Sequence, residues 1–389
     1  MRNGVRGGAR LLAGMAVGLG VARAALERPP EADLRGQVAL VTGGSRGLGL
    51  AISRELAAQG CRLAICARDE AELELAKADL VLRGAPVLGI PCDITDRAQV
   101  STMIDAVTRD YGQIDILVNN GGIIVVAPVA NLTHADFERV MAANFWGTLN
   151  PTLAVLPGMR ARGAGRIVNI TSIGGKLAMP HLLPYDCAKF AAVGFSTGLR
   201  AELADTGVTV TTVVPGLMRT GSHLHAEFGG DQEAEYRWFA LGASAPYPVA
   251  TAADRAARII VRAIRRGEAE CTFPFTATLA ARVSGALPGA TAQTLALVDR
   301  LLPRPSPRMR TTSSRRGSSN GPRLGAAGPP ETRPERCGLL EWVTESQRSS
   351  SHHAASCQVR NHTMRSASGE VNQRKCWVFY GGFQPTGGR

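Results

Sequence analysis

Tyr185 and Lys189 stand four residues apart in the run PYDCAK. On a helix, positions i and i+4 lie one above the other on one face. The stretch from Tyr185 to about Ala204 reads as a helix that starts after Pro184 and stops at the Asp205-Thr206-Gly207 turn. A phenol and an ammonium then stand side by side near the helix start. A free phenol ionises near about pH 10, so it is a sluggish base at neutral pH, and a nearby ammonium favours its phenolate. The pair suits proton exchange with a substrate oxygen. An exposed tyrosine beside a solvated lysine is the plain alternative, and five-residue patterns are common. The surrounding elements have to decide.

Those elements alternate. Apolar strands read at 38–43, 62–67, 85–93, 115–121, 165–172 and 208–216, with helical stretches between them. Strands apolar on both faces, separated by helices, predict a parallel sheet covered on both sides. The fold class is therefore α/β, a three-layer α/β/α domain around a doubly wound Rossmann-type parallel sheet. Ligands bind such sheets at the carboxyl ends of the strands. Residues 271–302, interrupted by Pro274 and Pro288, read as a core cap or an amphipathic surface segment.

The first strand runs into Thr42-Gly43-Gly44-Ser45-Arg46-Gly47-Leu48-Gly49, and a helix follows. Glycines at this spacing permit a tight turn and a close approach to a pyrophosphate, which then faces the helix N-terminus. The second strand ends Cys66-Ala67-Arg68 with no acid at its tip. Asp69 reads as the cap of the next helix. Arg46 and Arg68 suit a 2′-phosphate, since guanidinium matches phosphate oxygens. The expected cofactor is NADP(H) in preference to NAD(H).

With these motifs in order, residues 35–270 resemble the short-chain dehydrogenase/reductase family. TGGSRGLG at 42–49 matches the family's TGxxxGxG loop, which places Thr42, Gly43, Ser45, Arg46, Gly47, Leu48 and Gly49 against the cofactor. The resemblance assigns Asp93 to the adenine ring and NNGG at 119–122, with Asn120 and Gly121, to the sheet centre bordering the cofactor. Asn144, Ser172, Tyr185 and Lys189 match its catalytic tetrad. Pro215, Gly216 and Thr220 match the PG…T segment that packs on the nicotinamide. The resemblance implies that Tyr185 exchanges the proton and that Lys189 lowers the phenol pKa and holds the nicotinamide ribose. It implies that Ser172 binds the substrate carbonyl and that Asn144 holds a relay water. It further implies a homodimer or homotetramer built on the helices that carry Asn144 and Tyr185.

Two departures stand out. Gly121 replaces the family's usual alanine, and Pro151 falls seven residues after Asn144, where it frees a carbonyl and can kink the helix. His181 reads as a loop histidine. Substrate choice belongs to about residues 217–248, where His223, His225, Phe228, Tyr236, Trp238 and Phe239 suit an apolar pocket or lid. The function expected is interconversion of a carbonyl and an alcohol on a small-molecule substrate. A cofactor-binding protein without turnover is the alternative.

Composition bounds the rest. The 389 residues carry a net charge of +12, but residues 1–30 hold net +4 and residues 303–389 net +9, which leaves 31–302 near neutral. That argues against specific nucleic-acid binding by the core. The expected organisation is an N-terminal basic and apolar extension (1–30), a catalytic domain (31–302) and a low-complexity, disordered tail (303–389). Signal, weak membrane anchor and mere extension all stay open for 1–30, whose apolar run from Leu11 to about Ala22 is too short to span a bilayer. Eight cysteines without a CxxC pair favour reduced thiols, five of them buried in the core, no metal, and a cytoplasmic setting.

Overall fold

The computed structural model describes residues 31–305, so the expectations for residues 1–30 and for the tail from 306 onward lie outside the described residues. The chain enters through β1 (Val38–Thr42), α1 (Gly47–Ala58), β2 (Arg62–Ala67), α2 (Glu70–Leu82) and β3 (Val87–Pro91). Next come α3 (Arg97–Tyr111), β4 (Ile116–Asn119) and the short β5 (Val125–Val126). α4 (His134–Met141) passes through a π-helical turn at Ala142–Trp146 into α5 (Gly147–Ala161). β6 (Gly165–Ile170), α6 (Leu183–Glu202) and β7 (Val208–Pro215) follow. The last stretch holds β8 (Leu217–Arg219), β9 (Glu227–Phe228), α7 (Gln232–Ser244), β10 (Ala250–Ala252), α8 (Ala253–Arg266), β11 (Glu270–Phe273), α9 (Phe275–Ala286) and α10 (Pro288–Asp299).

The main sheet is all parallel, in the order β11-β7-β6-β4-β1-β2-β3. Strand order reverses between β1 and β4, which opens a crevice at their carboxyl ends. Every residue of β1 is buried, and its side chains alternate between two cores. Ala39 and Val41 join Ile52 and Leu56 of α1 with Ile260 and Ile264 of α8. Val38 and Leu40 join Met103 and Val107 of α3, Met159 of α5 and Leu199 of α6. Strands buried on both faces explain why the sequence reads as continuous apolar runs.

One strand of the sheet escapes the sequence reading. β11 pairs with β7 from Glu270↔Thr212 to Phe273↔Pro215. It has four residues, of which Cys271 and Phe273 are buried and Glu270 is exposed. A short edge strand of alternating polarity lacks the apolar run that marked the others. Two small parallel pairs, β8 with β10 and β5 with β9, lie outside the main sheet. α10 buries no residue, and Phe275, Leu279, Val283 and Leu287 stand exposed on and after α9. No helix among the described residues is long and apolar enough to cross a membrane.

A buried polar ladder crosses the centre of the sheet. Asn119 Nδ2 donates to Thr152 Oγ1 (2.8 Å) and to Asn169 Oδ1 (2.9 Å). Asn169 Nδ2 donates to Ser196 Oγ (3.0 Å), and Ser196 shares a 2.7 Å bond with Thr212. The ladder ties β4, α5, β6, α6 and β7 into one register at the end of the sheet that carries the motifs. Removing one member strands its partners in a dry interior, which costs about 1–3 kcal/mol per orphaned group. Asn169→Ala is therefore expected to lower unfolding stability by about 2–4 kcal/mol in urea titration. A loss within measurement error would show the ladder idle.

Candidate active site

β6 ends at Ile170, and Ser172 follows as the cap of a short 3-10 turn, its Oγ accepting from the Gly174 N–H at 3.0 Å. Pro184 sits in the first turn of α6, where its missing N–H costs nothing. Tyr185 therefore falls in the first turn, half-buried, and Lys189 one turn later. Lys189 is buried, and its Nζ donates to the Ile170 carbonyl at 3.0 Å. Its Nζ stands 5.5 Å from the centroid of the Tyr185 ring. Ser172 hydrogen-bonds the Tyr185 phenol. Three of the four predicted tetrad residues thus meet at the carboxyl end of β6.

Asn144, the fourth, lies in the π-helical turn and is 1% exposed. Its Nδ2 donates to the Ile123 carbonyl (2.9 Å) and to the Val140 carbonyl (3.0 Å). Its Oδ1 is buried without a protein partner and lies against Gly122, where any Cβ would strike it. The break in the helix falls at this turn and not at Pro151, which is buried within α5. Thr148 Oγ1 bonds the Asn144 carbonyl (3.0 Å), and Thr152 Oγ1 bonds the Thr148 carbonyl (2.8 Å). π-Turns of this kind re-aim a side chain.

At the β1–α1 turn, Gly43 and Gly47 hold φ of 63° and 54°, the left-handed region that favours glycine. A Cβ on Gly49 would run into the Gly43 carbonyl. Thr42 Oγ1 accepts from the Asn120 and Gly121 N–H groups (3.0 and 3.1 Å), and Asn120 Nδ2 donates to the Thr42 and Gly43 carbonyls. Thr220 lies against Gly47, with its carbonyl oxygen 3.3 Å from where a Cβ would stand. The turn and the strand-end motifs thus pack backbone to backbone, too closely for side chains at Gly43, Gly47 and Gly49. Ser45, Arg46 and Leu48 line the same turn, and Gly216 donates its N–H to Phe273 O (2.7 Å) just beyond Pro215. Asp93, after β3, accepts from the Thr95 N–H and hydroxyl (2.9 and 2.8 Å). Gly121, in place of alanine, is matched to Ile94, whose Cδ1 stands 2.6 Å from where a methyl would be.

A family model for short chain dehydrogenases matches residues 37–227. A dehydrogenase/reductase SDR family protein 7-like from Anopheles gambiae is 36% identical over 242 residues, covering 60% of this chain and 74% of that one. The chain belongs to the short-chain dehydrogenase/reductase family. Its fold matches that of a short-chain dehydrogenase/reductase from Burkholderia phymatum solved with NAD, at TM-score 0.61 and 23% identity, covering 72% and 99% of the two chains. It also matches a variant actinorhodin polyketide ketoreductase solved with NADPH, at TM-score 0.53 and 31% identity, covering 61% and 94%.

The electrostatics of this short-chain dehydrogenase/reductase differ from the expectation for the bare pair. Burial pushes the Tyr185 phenol up to about 12, the Ser172 hydrogen bond pulls it down, and the Asp186 carboxylate pushes it up. Burial lowers the Lys189 ammonium to about 8. Desolvation outweighs the lowering by Ser172, so the Tyr185 shift runs upward, opposite to the lowering by Lys189 that the family resemblance implies.

Asp186, the Glu235 partner of His181 and the exposure of Cys187 go beyond what the sequence reading expects. Asp186 is 1% exposed, with Oδ2 accepting from the Met179 N–H at 2.7 Å and Oδ1 unpartnered. Burial pushes its carboxyl up to about 8. His181 is not a free loop histidine: its ring is buried and lies 2.9 Å from Glu235, which is fully buried on α7. Glu235 is 54 residues away in sequence, so no local pattern announces the pair. Cys187 is exposed, unlike Cys61, Cys66, Cys92 and Cys271, because its position on α6 faces away from the sheet.

The raised Asp186 has a consequence for folding. The unfolded carboxyl releases its proton near about pH 3.9, whereas the folded one holds it to about 8. Stability contributed by the bound proton is complete below the lower value and is lost as pH rises through the upper one. Asp186→Asn should leave Tm unchanged relative to the parent near pH 4 and raise it by several degrees at pH 8, at about 2–4 °C per kcal/mol. An equal Tm difference at both pH values in calorimetry would contradict this placement.

Proposed function

We propose that this chain is an NADP(H)-dependent oxidoreductase that interconverts a carbonyl and an alcohol, with Tyr185 as the acid/base. The observation that carries the reading is Lys189, an ammonium buried beside a phenol and held on the last carbonyl of β6. Burying an ammonium costs several kcal/mol, and packing alone gives no return on that cost. The glycine turn, which has no room for side chains, opens α1 at the carboxyl end of β1 and supports a dinucleotide there, with its pyrophosphate on the helix N-terminus.

The bound nicotinamide supplies or accepts the hydride. The chain's own groups handle the oxygen and the proton. Ser172 Oγ–H donates to the substrate carbonyl and stabilises the charge that develops there. Tyr185 gives its proton to the same oxygen in reduction and takes it back in oxidation. Lys189 faces the phenolate left behind and binds the cofactor ribose. Asn144 Oδ1, buried and unpartnered, takes a water that returns a proton to Tyr185 by way of Lys189.

Preference for NADP(H) rests on the tip of β2. Asp69 there is committed to the N-cap of α2, with its Oδ1 accepting from Glu72 N at 3.0 Å. Arg68 is exposed beside it. Arg46 pairs with Glu72 at 2.5 Å across a half-exposed surface. Such a pair is worth about 1 kcal/mol or less, and a 2′-phosphate displaces it with a stronger charge. The apolar cluster of Val126, Phe228, Tyr236, Trp238 and Phe239 supports a ketone with an aliphatic or aromatic body. The likeness to a polyketide ketoreductase supports the same class.

The test is oxidation of NADPH and NADH by the purified chain over a panel of aldehydes, ketones, 3-oxoacyl thioesters and ketosteroids. Turnover with NADPH is expected, with Tyr185→Phe reducing it by about 10³-fold or more. Arg46→Ala with Arg68→Ala should lower the NADPH-over-NADH ratio of kcat/KM by about 10-fold, roughly 1.4 kcal/mol. NADPH binding without turnover of any panel member would favour a binding-only protein, and better use of NADH would overturn the reading of the two arginines.

A further inference from the structure

His181 is the one non-glycine residue at positive φ (66°) among the described residues. Its carbonyl accepts from the Ala127 N–H at 2.8 Å, which fixes the loop just after β5. Its ring is turned inward to Glu235 of α7, with Nδ1 3.0 Å from Oε2 and 2.9 Å from Oε1. A carboxylate only accepts, so the nitrogen that faces it carries the hydrogen. Trp238 Nε1 donates to the same carboxylate at 2.6 Å, and its ring meets the imidazole edge-on at 6.3 Å. His181 Nε2 lies 3.6 Å from Asp299 at the end of α10.

The placement of this cluster is informative. α7 buries three side chains, Glu235, Phe239 and Ala243. One of the three is a carboxylate in an apolar shell of Phe228, Tyr236, Trp238 and Leu182. An unpaired carboxylate there costs several kcal/mol, so α7 can sit down only where His181 meets it. His181 in turn precedes Tyr185 by four residues, on the loop that leads into α6. Left-handed backbone at a β-substituted residue costs of order 1–3 kcal/mol and persists only when surrounding contacts enforce it. Here the enforcing contacts are those to Ala127 and Glu235.

We propose that His181 and Glu235 form a latch that holds α7 closed over the substrate side of the site. They are positioning residues: they set the α7 wall and the loop ahead of Tyr185 without touching reacting atoms. The latch also occupies the carboxylate in that wall with two N–H donors, so that the wall offers a substrate its apolar side chains and suits an apolar ketone. The naming of a substrate side and this last step rest on the proposed carbonyl reduction; the His181–Glu235 contact and its hold on α7 do not.

The test uses the full chain with NADPH bound. Glu235→Gln keeps the shape of the side chain and removes its charge. His181→Asn keeps a residue that tolerates positive φ and removes the reach of the imidazole. Each should speed tryptic cleavage after Arg219 and after Arg237 by about 10-fold and raise amide exchange across α7, while the β1–α1 amides and the NADPH Kd stay within about twofold. The double variant should open no further than the worse single one, because the two residues act as one unit. With any ketone that is turned over, KM should rise about 10-fold and kcat change less than threefold. Cleavage and exchange at parental rates in both variants would overturn the latch, whether or not a substrate has been found. Should either variant lose its thermal transition, Trp238→Phe decides: it keeps the pair, removes one donor, and must show partial opening of α7.

Discussion

The site depends on an ammonium that the fold takes out of water. Lys189 is buried with one protein acceptor, the Ile170 carbonyl, and its neighbour on the helix face is a phenol. Burial lowers the ammonium to about 8, so it still carries its proton at neutral pH. It raises the phenol to about 12, so that group keeps its proton too. The arrangement stores a proton donor beside a cation with little water to screen either. α6 has to start where it does for this to happen. Pro184 supplies the start, and the Asn119–Asn169–Ser196–Thr212 ladder holds α6 in register with β6 and β7.

The same end of the sheet gathers the other requirements. The glycine turn after β1 and the NNGG run after β4 are tied by Thr42 and Asn120, so the two strands at the switch point share one rigid rim. The π-turn presents Asn144 to the backbone at Ile123, just after the NNGG run. The loop ahead of α6 is joined to α7 through His181 and Glu235. Each contact is short and at least partly buried, whereas α9 buries one residue and α10 none.

Much of this was legible in the residues themselves. Strands buried on both faces leave unbroken apolar runs, and a turn that cannot accept a Cβ leaves glycines at fixed spacing. Tyr185, Lys189 and Ser172 declare their types and sit at predictable ends of elements. Other features leave no such trace. β11 is too short and too polar on one side to stand out. The π-turn at Ala142–Trp146 is a shift in backbone hydrogen bonding, which composition does not encode, whereas Pro151, which the sequence does display, sits inside α5. The partner of His181 is remote in sequence. The sign of the Tyr185 shift depends on burial that outweighs the Ser172 hydrogen bond, and only three dimensions set that balance.

The central claim is that Tyr185 is a neutral acid in the protein alone and becomes a base only when a further positive charge arrives beside it. The most direct measurement is an ultraviolet difference titration of tyrosinate, with Tyr185→Phe subtracted to assign the signal, in the absence and presence of saturating NADP+. The account predicts no Tyr185 ionisation below about pH 10 in the free protein and a fall of at least about one pH unit with the oxidised cofactor bound. Ionisation of Tyr185 near neutral pH in the free protein, or no shift on binding NADP+, would contradict it.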